Sequence, residues 1–190
     1  MEILSNIIVN ILMALYQQVG ASLLVTFLSL IVFNCVEKAG VKKVLNEVYD
    51  RIKNDKRYRI VSGSIFYCMM VLFRTVLCRP AYYFPLADVF GGWSIINSEG
   101  NISTESIENL ILFIPLTFLI LDYIDLKRML RSFECIKKSV FIAFSFSAGI
   151  EFAQLFLRAG TFQFSDITYN TVGGLVGGVL FLLYRFIRSK

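Results

Sequence analysis

Five apolar stretches, approximately Ile7–Phe33, Ile60–Leu77, Leu110–Leu121, Val140–Leu157 and Ile167–Ile187, take up most of the chain, and no polar stretch between them exceeds about thirty residues. An α-helix needs about 20 apolar residues to cross a bilayer. Four of the stretches reach or approach that length, and the third is extended to nearly a full crossing by Asn109 at one interface and Asp122 and Tyr123 at the other. With 56% of residues hydrophobic and 17% charged, the chain holds more apolar surface than one soluble core hides. The expected fold is all-α: a polytopic integral membrane protein of about five transmembrane helices, with one or two cytoplasmic amphipathic helices. A separate catalytic domain has no room.

The basic residues predict the orientation. Segment 35–59 carries eight of the nineteen, segment 127–138 carries five, and Arg185, Arg188 and Lys190 close the chain. Short loops rich in Lys and Arg stay in the cytoplasm, so the N-terminus is expected outside and the C-terminus inside. The net charge of +5 is then a topology signal. Its division among three membrane-flanking patches, without an aromatic-interleaved basic groove, argues against nucleic acid as a partner. The apolar opening has no basic residue ahead of it and is expected to remain as a span rather than be cleaved. Four scattered cysteines suggest no disulfide framework, and without histidine or clustered thiols neither a metal nor a cofactor is expected.

These signals divide the chain into a first transmembrane helix (1–34), a basic amphipathic loop (35–59) and a four-helix membrane domain (60–190). In the loop, Val41, Val44, Leu45, Val48 and Ile52 recur at helical spacing against Lys42, Lys43, Glu47 and Arg51. Leu126, Met129, Leu130 and Phe133 repeat the pattern against Lys127, Arg128 and Arg131. Both are expected to lie on the inner leaflet. In the outer loop, Tyr82, Tyr83, Phe84 and Trp93 suit the headgroup level, or else form a lid that turns at Gly91-Gly92. Asn101-Ile102-Ser103 has the form of a glycan acceptor.

Polar residues inside spans are costly and are functional candidates. Glu151, Gln154 and Arg158 advance by three and four along the fourth span, and Asp166, Asn170, Gly173 and Gly177 by four, three and four along the fifth. A connection of about eight residues makes the two helices antiparallel neighbours whose polar stripes face each other near the outer side. Gly173 and Gly177, with Gly174 and Gly178 beside them, form overlapping small-xxx-small patterns for close packing. The face shared with Asp166 should point inward, and Gly178, about 140° further round, should be the more tolerant of bulk. Pro115 removes a backbone donor within the third span and frees carbonyls for Asn109 or a facing side chain to engage. Arg74 and Arg79 offer cations to Glu151, Asp166 or an anionic headgroup, although Arg79 has the alternative of snorkelling to the interface. Three readings of the cluster compete: a hydrogen-bonded clasp between helices; a recognition pocket for the polar part of a lipid or lipid-linked wall intermediate; and a hydrolase or transferase site using Glu151 and Asp166 as general acid and base. A transporter is a further alternative, without the internal repeat such proteins usually show.

The segments Asn109-Leu-Ile-Leu-Phe-Ile-Pro115-Leu, Glu151-x-x-Gln154, Gly160-Thr161-Phe162 and Asp166-x-x-x-Asn170-x-x-Gly173, with Arg74-Thr75 and Arg79, resemble the VanZ-like membrane family over about Ile60 to Phe186. The resemblance implies a small polytopic protein of the bacterial plasma membrane and an association with resistance to the glycopeptide teicoplanin. Membrane lipids, a lipid-linked cell-wall precursor or the lipoglycopeptide are the partners it suggests. The family often has Arg directly before the Gly-Ser/Thr-Phe segment and an acid directly after it. Here Ala159 and Gln163 occupy those positions and Arg158 stands one residue early.

Overall fold

The computed structural model describes residues 2–35, 41–93 and 104–189. Helix α1 spans Glu2–Cys35, α2 Val41–Asn54, α3 Lys56–Leu72 with a π turn at Phe73–Leu77, α4 Glu105–Lys127, α5 Ser132–Leu157 and α6 Phe164–Arg188. Five of these, all but α2, are long and apolar enough to cross a membrane; in α1 the qualifying window is Tyr16–Asn34. The spans expected over 60–77, 110–121, 140–157 and 167–187 are each present and longer than their apolar runs, because polar residues such as Glu105 and Ser132 start the helices before the apolar runs begin. The triplet at 101–103 lies outside the described residues.

The chain is antiparallel throughout, so the basic segments gather at one end of the bundle and the 78–93 loop and the α5–α6 turn at the other. α6 is wedged between α4 and α5, and its glycines are the reason it fits. A side chain at Gly173 would strike the Leu110 carbonyl, and one at Gly177 the Ile114 carbonyl and the Thr117 hydroxyl. On the opposite flank, Gly174 faces Ala143 and Gly178 faces Ser139. Gly178 is more tolerant than Gly173 in that only side-chain atoms oppose it, but it too lies against a neighbour. Helix α6 has packed neighbours on two faces, and one glycine pair serves each.

Below this seam, Val71, Val76, Leu112, Phe113, Leu116, Ala143 and Ile150 form the core of α3, α4 and α5. Pro115 leaves α4 without one backbone donor, and the Tyr67 hydroxyl of α3 donates to the nearby Leu112 carbonyl at 3.0 Å. The carbonyl that Pro115 itself frees is that of Ile111, four residues back, and the Tyr67 bond falls on its neighbour. Phe141, Phe144, Phe156 and Ile187 point outward, as an apolar solvent permits.

At the basic end, α2 is the expected amphipathic helix, but it does not rest only on a membrane surface. Val44 and Val48 are buried against Leu30 of α1, while Leu45, Tyr49 and Ile52 remain exposed. The second amphipathic helix, expected around 126–133, does not form. α4 continues to Lys127, and α5 begins at Ser132 with Glu134 accepting the Arg131 amide at 3.1 Å. Asp125 accepts the Leu130 amide at 2.8 Å, Arg185 donates to the Leu130 carbonyl, and Leu130 is buried with Leu121, Cys135 and Phe181. The turn is too short for a helix of its own and is tied to α6.

Candidate functional site

The α5–α6 turn is built by alternation. Helix α5 ends at Arg158, whose φ of 53° and ψ of 38° are left-handed, and the chain then runs extended towards α6. Backbone amides of Phe162 and Phe164 donate to the Pro85 and Val89 carbonyls of the loop, at 2.8 and 3.1 Å. In an extended chain, successive residues point to opposite sides. The Gln163 amide accordingly turns the other way and donates to Glu151 Oε2 at 2.8 Å. The Gln163 side chain reaches back over the loop to Asp88 Oδ2 at 2.8 Å, and the Tyr169 hydroxyl donates to the Trp93 carbonyl at 3.2 Å. The loop therefore covers the outer side of Glu151. Tyr83 and Phe84 are largely exposed.

Glu151 and Gln154 are each 1% exposed, and Asp166 and Asn170 are also buried. The two polar stripes meet as expected, with one exception. Arg158 is exposed: the left-handed turn at the helix end breaks the three-and-four spacing that had put it on the Glu151 face, and its backbone carbonyl instead accepts the Tyr82 amide at 2.6 Å.

The two other arginines are already paired. Arg74 binds Glu108 at 2.7 Å and Arg79 binds Glu105 at 2.8 Å, both partners on α4. Glu151 and Asp166 also lie within the electrostatic reach of Arg79. Gly160, at φ 116°, lies against that guanidinium, where an added Cβ would come 3.0 Å from Nη1. Both the backbone angle and the close approach call for glycine. An arginine free to receive an anionic headgroup, as the sequence suggested, is not what the fold provides. The excess of acid disfavours a bare anion and suits hydroxyl, amide or amine donors.

Gln154 Nε2 donates to the Thr75 carbonyl at 2.7 Å, a carbonyl of the π turn, and such turns often mark functional sites. Asn170 Nδ2 donates to Ser147 Oγ at 2.8 Å. Asn109 stands beside Asp166. Four buried polar atoms here have no hydrogen-bond partner of standard geometry: Asn109 Nδ2, Gln154 Oε1, Ser165 Oγ and Asn170 Oδ1. Each such atom left dry costs about 1–3 kcal/mol, so the four together approach the whole stability of a small domain, about 5–15 kcal/mol. Water or a ligand must satisfy them. A cleft of about 800 Å³ opens between Arg74, Arg79, Glu105, Asn109, Gly160 and Gln18 of α1, and Asn109 is the one of the four residues that lines it.

Sequence reasoning missed Asp88, Glu105, Glu108, Gln163 and Ser165. Glu105 and Glu108 are three apart, directly before Asn109, and that spacing on one helix was a readable signal. Gln163 and Asp88 are joined only by the path of the loop, which no periodicity reveals.

The sequence profile of the family described as VanZ/LLP1 matches residues 7–185. It takes in the first span and the basic loop as well as the four later spans. No curated protein and no solved structure gives a significant match. With five membrane-spanning helices and a profile match over nearly its whole length, the chain belongs to the VanZ/LLP1 family of multispanning membrane proteins, a family linked to glycopeptide resistance.

Proposed function

We propose that the buried polar site receives the uncharged polar part, hydroxyl or amide, of a lipid or lipid-linked wall component at the outer leaflet of a bacterial plasma membrane, and that glycopeptide resistance follows from this. The observation that carries the reading is the set of four unpartnered polar atoms: two amide oxygens that accept, one amide nitrogen that donates and one hydroxyl that does either. Such a mixed set complements a sugar or peptide group better than it does a phosphate.

The competing clasp reading rests on the three hydrogen bonds Gln163–Glu151, Gln154–Thr75 and Asn170–Ser147, which join segments across the site. Two substitutions separate the readings because they touch none of these bonds. Ser165→Ala removes an unpartnered hydroxyl, and Asn109→Leu removes the amide that stands beside Asp166. Ser165→Ala should melt at or slightly above the wild-type temperature in detergent, while in both proteins lipid retained through purification, read by native mass spectrometry, is lost. Retention at the wild-type level in both variants would refute the pocket.

The outward position rests on the basic end lying in the cytoplasm. An impermeant thiol reagent should therefore label Tyr83→Cys in intact cells and Met129→Cys only after lysis, both side chains being exposed. The reverse pattern would put the site on the inner side.

A further inference from the structure

Far from the polar cluster, α3 and α4 part at the basic end to leave an open crevice of about 290 Å³. Its walls are Val61, Ile65, Cys68, Met69 and Ile120. The Ser64 hydroxyl on its wall is turned away to the Ile60 carbonyl at 2.8 Å. Tyr123 stands at the mouth. The Lys127 ammonium lies 4.4 Å from the centre of its ring and the Arg57 guanidinium 5.9 Å. Among the described residues neither cation forms an ion pair. Of the acids near by, Asp55 accepts the Arg57 and Tyr58 amides and Asp125 pairs with Arg185, while Asp122, beside Tyr123, forms no ion pair among the described residues.

An apolar crevice running along two spans, with two unpaired cations and an aromatic ring at its interfacial mouth, has the chemistry of one kind of molecule. From this juxtaposition we infer a binding site for a single anionic glycerophospholipid of the inner leaflet. One acyl chain lies between α3 and α4, and the phosphate sits between Arg57 and Lys127. Charge complementarity selects the occupant: a zwitterionic lipid offers the same chain but carries its own cation to a mouth that already holds two. Basic pockets between spans bind anionic headgroups on this principle. The crevice does not depend on the polar site at the other end, and the two stand or fall separately.

The test uses the full-length chain in mild detergent, titrated with dioleoylphosphatidylglycerol or dioleoylphosphatidylcholine and read by native mass spectrometry. The wild type should hold one phosphatidylglycerol in preference to phosphatidylcholine. Arg57→Gln and Lys127→Gln should each lower that preference about fivefold, as the loss of one interfacial cation implies. Neither should change the melting temperature, since both side chains are exposed. Lys137→Gln, at an exposed position elsewhere on the basic end, is the matched control and should leave the preference intact. Val61→Trp, which fills the crevice, should abolish retention of both lipids. Equal retention of the two lipids by the wild type overturns the proposal. So does an unchanged preference after the Arg57 and Lys127 substitutions, or phosphatidylglycerol still held by Val61→Trp. If Val61→Trp does not fold, the two charge variants decide alone.

Discussion

Gly173→Leu and Gly177→Leu should each destabilise the protein by more than about 3 kcal/mol, enough to prevent accumulation of folded protein in the membrane. Most overpacked sites relax by moving a flexible side chain. Here the obstacles include the Leu110 and Ile114 carbonyls, which are backbone atoms of a packed helix. Relief would require α4 to move away from α6, and with it Asn109, Glu105 and Glu108, which form one wall of the cleft. Gly178→Leu should also destabilise, though less, because only side-chain atoms, those of Ser139 and Ile136, oppose it. Gly149→Leu supplies the comparison. That glycine is exposed on α5 with nothing within 4 Å of an added Cβ, and leucine is the better helix former by nearly 1 kcal/mol. It should express and melt at least as well as the wild type. If Gly173→Leu melts like Gly149→Leu, the close α4–α6 contact is wrong.

Much of this architecture was legible in the residues, because a bilayer leaves few ways to satisfy a backbone. Five apolar runs imply five helices, short connections imply antiparallel neighbours, and Glu151, Gln154, Asp166 and Asn170 meet because their spacing matches the helix period. Legibility failed where that period stopped. Arg158 lies one residue beyond the last helical position and turns left-handed, so counting by three and four placed it on a face it does not occupy. The supposed helix around 126–133 failed for a related reason: its apolar members are shared between the end of α4, a turn and the start of α5. The stripe argument did not reveal the contact at Gly178, because it assumed a single packed face, whereas α6 has two. The arginine partners were hidden because Glu105 and Glu108 lie on a helix start that their charge had excluded from the apolar run.

The loop cover shows how local geometry decides what the buried acid does. Gln163 stands where the family often has an acid, and an acid there would face Asp88 across the loop at hydrogen-bonding range. An amide at the same place donates to Asp88 instead. The chain therefore exchanges a repulsion for a bond, and the loop closes over Glu151 without needing another cation. A second carboxylate beside Asp88 would favour a more open loop, so Gln163→Glu should raise the exchange rate of the Phe162 and Phe164 amides with solvent deuterium.

Substitutions at Glu151 should separate the charge of this residue from its place in the fold. Its carboxylate accepts the Gln163 amide, and its side chain is almost wholly buried. Glu151→Gln retains the size and an acceptor oxygen for that amide, so folding should change by less than about 1 kcal/mol, the net worth of a typical hydrogen bond. Glu151→Leu retains the bulk but strands the Gln163 amide, at a cost of about 1–3 kcal/mol, and frees the extended segment that carries Phe162 and Phe164 to the loop. The recognition reading requires both variants to lose lipid retention and to restore glycopeptide susceptibility in a bacterial host, although only Glu151→Leu melts early. A carboxyl group, acceptor or donor as its proton allows, is what a ligand hydroxyl or amide would find, and glutamine presents a different set. A clasp requires a different pattern, in which loss of function follows loss of stability from one variant to the next. Full resistance and full lipid retention in a stable Glu151→Gln protein would remove this carboxylate from the site altogether and leave it as a cap for the α5–α6 turn.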